Sequence, residues 1–184
     1  NNQDGKRPES ITVILLANGT EKTRQTVTAD EAGNWTYTFK DLPKYANGQE
    51  ITYTVSELTV PGYTTTIDDN YNITNSYTPG ETSASVTKIW DDADNQDGIR
   101  PESITVNLFA DGTKLKSQSV SADADGNWSY SFTDLPKYAN GQEITYTVTE
   151  DAVDGYTTES DGYNFINTHQ PETTEITGTK TWND

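Results

Sequence analysis

The 184-residue chain aligns on itself. Residues 1–66 lie without a gap on residues 94–159, and 45 of those 66 positions are identical. After one deletion YNITNSY (71–77) matches YNFINTH (163–169), and VTKIWDD (86–92) finds a partner in GTKTWND (178–184). A period of 92 or 93 residues is an ordinary domain length, so the chain must fold as repeated domains and not around one large core. The phase of the repeat predicts a first domain over 1–77 lacking its opening strand. It predicts a complete second domain over 84–169 and the first strand of a third over 176–184. TPGETS (78–83) and QPETTE (170–175) read as linkers. With Asn1 in place of an initiating Met, the chain reads as a piece of a longer protein.

Inside the second repeat the side chains alternate with period two, the pattern of half-buried strands. Val86, Lys88 and Trp90 share one face, as do Ile104, Val106, Leu108 and Ala110, with Asp111-Gly112 as a hairpin turn. Trp128, Tyr130 and Phe132 form an aromatic stripe, Ile144, Tyr146, Val148 and Glu150 another face, and Tyr163, Phe165 and Asn167 the last. Six or seven such strands in about 85 residues, with no helical periodicity, predict an all-β fold of tandem β-sandwiches.

Composition needs an explanation. Leu, Ile, Val and Phe number only 31 and the net charge is −17, a combination typical of disordered chains, yet 11 Tyr and 4 Trp stand at ordered spacings. The negative charge argues against nucleic acid and membrane as partners. With no Cys, a thin core cannot be stapled by disulfides.

Alternation places three polar residues on apolar faces. Lys88 lies between Val86 and Trp90, Glu150 follows Val148, and Asn167 follows Phe165. A lysine snorkelling at a strand end and two turn-capping side chains would satisfy the pattern. Repetition points elsewhere: Glu57 and Asn75 hold the same phases in repeat 1, and Lys180 reproduces Lys88.

Long strings in this chain carry a family resemblance. VTKIWDDADNQDGIRPESITVNLFADG, DLPKYANGQEITYTVTED, GYTT and YTPGETSASVTKIW together resemble the B-type (CnaB) repeat domains of Gram-positive collagen-adhesin-like surface proteins, over essentially the whole chain. The resemblance implies tandem reverse immunoglobulin-like β-sandwiches. It also implies an autocatalytic isopeptide bond between a first-strand Lys and a last-strand Asn, assisted by a Glu. These roles would fall on Lys88, Asn167 and Glu150 in repeat 2. In repeat 1 they fall on Asn75 and Glu57 with no Lys, and Lys180 would be the nucleophile of a third repeat. Burial lowers a lysine pKa and raises a carboxyl pKa, so folding would supply a neutral amine and a protonated acid able to donate to the Asn carboxamide.

The function implied is a structural stalk of an extracellular, cell-wall-anchored adhesin, with neighbouring repeats as its partners. A module binding a host matrix protein or glycan is the alternative. One bond per domain is self-processing and not turnover, so no enzyme is expected, and no cofactor or metal. DDADNQDG (91–98) misses the EF-hand pattern and reads as a solvated acidic loop. His169, the one histidine, takes the place of Tyr77, and no triad or metal motif surrounds it. Because repeat 1 would keep an empty edge and Lys180 would have no domain, two outcomes stand side by side: head-to-tail strand exchange between the Lys180 strand and repeat 1 of another molecule, or a frayed tail and a destabilised repeat 1.

Overall fold

Alternation of apolar and polar residues gives strands one wet and one dry face, and two such sheets bury their dry faces against each other. The computed structural model describes residues 2–184, and among these the regular structure is β-strand throughout. Two compact units form, the first on residues through Gly80 together with Tyr138–Gln142, the second on Glu81–Lys137 and Glu143–Asp184.

In the first unit, β1 (Ser10–Ala17) lies between β2 (Thr20–Thr28) and β5 (Tyr53–Glu57), all antiparallel. A short hairpin joins β3 (Tyr45–Ala46) to β4 (Gln49–Glu50), and β6 (Thr64–Ile67) pairs with β7 (Ile73–Ser76). Residues 36–44 form no strand; an isolated bridge from Ala29 to Trp35 is what holds the start of that segment.

The second unit supplies the comparison. It comprises β8 (Glu81–Asp91), β9 (Ile104–Ala110), β10 (Thr113–Val120), β11 (Trp128–Pro136), after which the chain forms the hairpin β12 (Tyr138–Ala139) and β13 (Gln142–Glu143), then β14 (Tyr146–Glu150), β15 (Thr157–Asp161) and β16 (Asn164–Thr168). One sheet runs β10-β9-β14 and the other β11-β8-β16-β15. Side chains of both fill one core, Val106 and Leu108 from the first sheet meeting Val86, Phe132 and Phe165 from the second. Asp111 and Gly112, both at positive φ, close the β9–β10 hairpin, a two-residue turn whose twist matches its strands.

Two differences separate the first unit from the second. Its counterpart of the β11 stripe, Trp35, Tyr37 and Phe39, stays half-buried, whereas Trp128 and Phe132 are buried. The cause is pairing: β8 is the strand against which β11 forms, and no strand stands at that place in the first unit among the described residues. The sequence reading of TPGETS as a linker needs correcting. β8 already begins at Glu81, where Glu81 and Thr82 pair with Pro136 and Leu135.

Candidate cross-linking site

Three side chains from three strands converge between the sheets of the second unit. Lys88 points inward from the centre of β8, Asn167 from β16 beside it, and Glu150 from the end of β14 in the opposite sheet. β8 and β16 are parallel neighbours, with Phe165 opposite Lys88 and Asn167 opposite Trp90. Strands far apart in sequence thereby bring Lys88 and Asn167 onto adjacent rungs of one sheet face. The Lys88 and Glu150 side chains are fully buried, and Asn167 is 0 % exposed.

The polar contacts of this cluster are few. Lys88 Nζ lies 3.9 Å from Glu150 Oε2 and donates to the carbonyl of Ile89 at 3.0 Å. Asn167 Nδ2 donates to Glu150 Oε1 at 3.1 Å. Glu150 Oε2 and Asn167 Oδ1 are buried without a hydrogen-bond partner. Such orphaned acceptors are costly, by about 1–3 kcal/mol each, and mark strained or reactive sites. Glu150 thus accepts from the nitrogen of the Asn167 carboxamide.

Burial governs the charges. Desolvation pulls the Lys88 amine down to about 8, against the opposing pull of Glu150 and Asp92. Desolvation pushes the Glu150 carboxyl up, against the Lys88 charge and the Asn167 hydrogen bond. Both shifts favour the neutral pair. With the amine near 8, about a tenth of it is unprotonated at neutral pH, where an ordinary lysine holds less than one part in a thousand.

A shell around the amine was not legible in the motif. The Trp90 ring covers Lys88, its centroid 4.1 Å from Nζ, and meets Trp128 and Tyr156 edge-on at 5.3 and 4.9 Å. Beyond it Asp92, 2 % exposed, accepts two bonds from Arg100, at 2.6 and 3.0 Å, and one from the Tyr156 hydroxyl at 2.9 Å. The Arg100 bonds hold the Asp92 carboxyl down to about 2, and burial with the Asp92 bond pushes the Tyr156 hydroxyl up to about 12. The loop read as a solvated acidic stretch thus anchors the roof of the site. Its Asp97 is engaged too, accepting from His169 Nε2 at 3.0 Å and from the Glu172 amide at 2.8 Å. In the first unit Asp4 accepts from Tyr77 and the Gly80 amide, both at 2.8 Å. The exchange of Tyr77 for His169 was the available signal, since both donate to the same loop aspartate.

The first unit holds the same acid and amide without an amine. Asn75 Nδ2 donates to Glu57 Oε1 at 2.9 Å. The Thr65 hydroxyl lies 2.9 Å from Glu57 Oε2 and 2.6 Å from Asn75 Oδ1. Thr65 thus occupies the two atoms whose counterparts are orphaned in the second unit. One hydroxyl proton cannot serve both acceptors at once, so one of the two contacts stays weak. Lys180 joins neither cluster. It lies over the Trp182 ring at 3.7 Å, in a tail where Trp182 is 79 % exposed.

Comparison with known proteins agrees with this architecture. The Cna protein B-type domain profile matches residues 1–76 and again 84–168. The chain is 49% identical over 189 residues to a collagen adhesin of Staphylococcus aureus, covering all of this chain and 16% of that protein. The crystal structure of two B repeat units of the collagen binding protein of Staphylococcus aureus superposes with a TM-score of 0.79 at 49% identity, over 93% of this chain and 46% of that one. The chain therefore spans a small part of the curated relative's length. Two profile matches and two compact β units say the same thing: this chain belongs to the family of Cna protein B-type domains, present as a tandem pair.

Proposed function

We propose that the chain is a load-bearing spacer of an extracellular, wall-anchored surface adhesin, its second unit locked by an amide between Lys88 and Asn167. The observation that carries this reading is the dry convergence of an amine, an acid and a carboxamide on the parallel pair β8 and β16. Neutral Lys88 Nζ attacks Asn167 Cγ. The new N–C bond forms as the Cγ–Nδ2 bond breaks, and Glu150, touching Nδ2, passes a proton from the amine to the departing nitrogen, which leaves as ammonia. Glu150 is restored and no other reactant is needed. Fixed orientation replaces a bimolecular encounter, worth up to about 7–11 kcal/mol of barrier.

The product suits a spacer. β8 opens the second unit and β16 closes it, so tension along the chain would load this pair. An amide across it carries force past the sheet's hydrogen bonds. Intact mass tests the proposal: a deficit of one ammonia in the folded chain, lost in Glu150→Ala, is expected. An unchanged mass in a folded sample would refute it. Binding of the isolated chain to collagen at physiological salt would favour a recognition module instead.

A further inference from the structure

Two cations share one ring in the second unit. Lys88 Nζ lies 4.1 Å from the centre of the Trp90 ring, and the Arg100 guanidinium lies 5.5 Å from the same centre. An indole attracts either cation, yet two cations at one ring repel each other. Arginine cannot give up its proton inside a protein, so the proton that leaves is the lysine's. The ammonium is poorly held in other respects. One of its three N–H groups donates to the Ile89 carbonyl at 3.0 Å, while Glu150 Oε2, at 3.9 Å, lies beyond hydrogen-bond reach.

The guanidinium is fixed where it stands. Buried Asp92 accepts from Arg100 Nε at 3.0 Å and Nη2 at 2.6 Å, and from the Tyr156 hydroxyl at 2.9 Å. Asn95 Oδ1 accepts from the Arg100 amide at 2.9 Å. Ala93, Asp94 and Asn95 stand at φ of 48°, 60° and 60°, a costly run for residues with a Cβ and one that a freely solvated loop would relax. Trp128 and Tyr156 meet the Trp90 ring edge-on and hold its plane.

We infer that Arg100 and Asp92 are positioning residues for the amide-forming step: clamped together, they hold the Trp90 ring on the Lys88 amine, and their opposed charges set the pH at which that amine becomes a nucleophile. The inference rests on the Lys88–Asn167 chemistry proposed above. Around the amine and its ring, the charged and titratable groups are Glu150 from β14, Asp92 and Arg100 from the loop after β8, and the Tyr156 hydroxyl ahead of β15. The strand neighbours Trp128 and Phe165 and the Asn167 carboxamide carry no charge. Burial does most to neutralise Lys88; beyond that, Glu150 and Asp92 favour the ammonium and Arg100 disfavours it. Glu150 takes part in the reaction itself, whereas Arg100 and Asp92 act through the ring and through space.

The rate of amide formation against pH separates these roles, read by intact mass on chain refolded from the unfolded state. Two unit charges less than about 10 Å apart, at an effective dielectric constant of about 20, move a titration by about one pH unit. Arg100→Gln is therefore expected to raise the midpoint of the rising limb by about one pH unit, and Asp92→Asn to lower it by about as much. The double variant Asp92→Asn/Arg100→Gln strands no charge. Its midpoint should return to the parent's while its plateau rate falls by about tenfold or more, because the clamp on the ring is gone. Single-variant midpoints that move together, or not at all, overturn the inference, and so does a double variant with the parent's plateau. Should a single variant fail to refold, the plateau of the double variant decides. A parent that never loses ammonia refutes the amide itself; a parent that loses it on a profile indifferent to these substitutions overturns this inference alone.

Discussion

Replacing Lys88 by Met removes the amine while keeping an unbranched side chain of similar length in the dry site. Burial pushes the Glu150 carboxyl up, and removing the Lys88 charge that opposes this shift favours its neutral form further. What is lost is ring closure. The proposed amide joins residues 88 and 167, 79 positions apart (167 − 88), and encloses β9 to β15. The chain-entropy relation for cross-links gives roughly 4.5 kcal/mol for a loop of that size. For a unit of about a hundred residues each kcal/mol moves the melting temperature by about 4–8 °C, so the variant should melt on the order of 20–35 °C lower. Scanning calorimetry with intact mass on the same samples is the assay. If the parent shows the ammonia deficit yet Lys88→Met melts within about 5 °C of it, closure of this loop does not stabilise the unit as argued.

Other expectations follow from the same geometry. Chain recovered unfolded and then refolded should form the second unit's amide faster as pH rises from about 6 to about 8, because the neutral fraction of an amine near 8 grows about tenfold per unit below its pKa; mass spectrometry of quenched samples reads the rate, and a flat profile would exclude amine attack as the slow step. Asp92→Asn should cost about 3 kcal/mol by leaving Arg100 underpaired beside Trp90, and because the Asp92 pKa is depressed to about 2, the parent keeps this contribution above about pH 4 and loses it as pH falls through about 2; urea melts at both pH values check it. His169 is raised by its bond to Asp97, and Asp97 is lowered by it, so this tie is strongest between the Asp97 pKa, below 3.8, and 6.5, and is lost as pH rises through the His169 value; an NMR titration should find the imidazole pKa falling in Asp97→Asn. Phe132→Ala should cost about 3–5 kcal/mol, and the repeat-related Phe39→Ala distinctly less, since Phe132 is 0 % exposed and Phe39 is half-buried; equal losses by chemical denaturation would mean the first core is as closed as the second.

Period-two alternation by itself determined that Lys88, Glu150 and Asn167 face inward, because a strand turns successive side chains to opposite sides whatever it pairs with. Repetition determined the two units, and the KxW strings marked where an opening strand exists and where it does not. Local turn chemistry at Asp111-Gly112 was equally legible, since positive φ at both positions is a property of those residues. Only the tertiary structure decided that β8 and β16 lie side by side and parallel, putting an amine and a carboxamide from opposite ends of the repeat on neighbouring rungs. It alone revealed Glu150 on the amide nitrogen, Asp92 buried against Arg100 and Tyr156, and Thr65 in place of a lysine. These arrangements depend on which sheet edges meet across long sequence separations, and on how much water that meeting removes. Neither quantity is written in the spacing of residues along one strand.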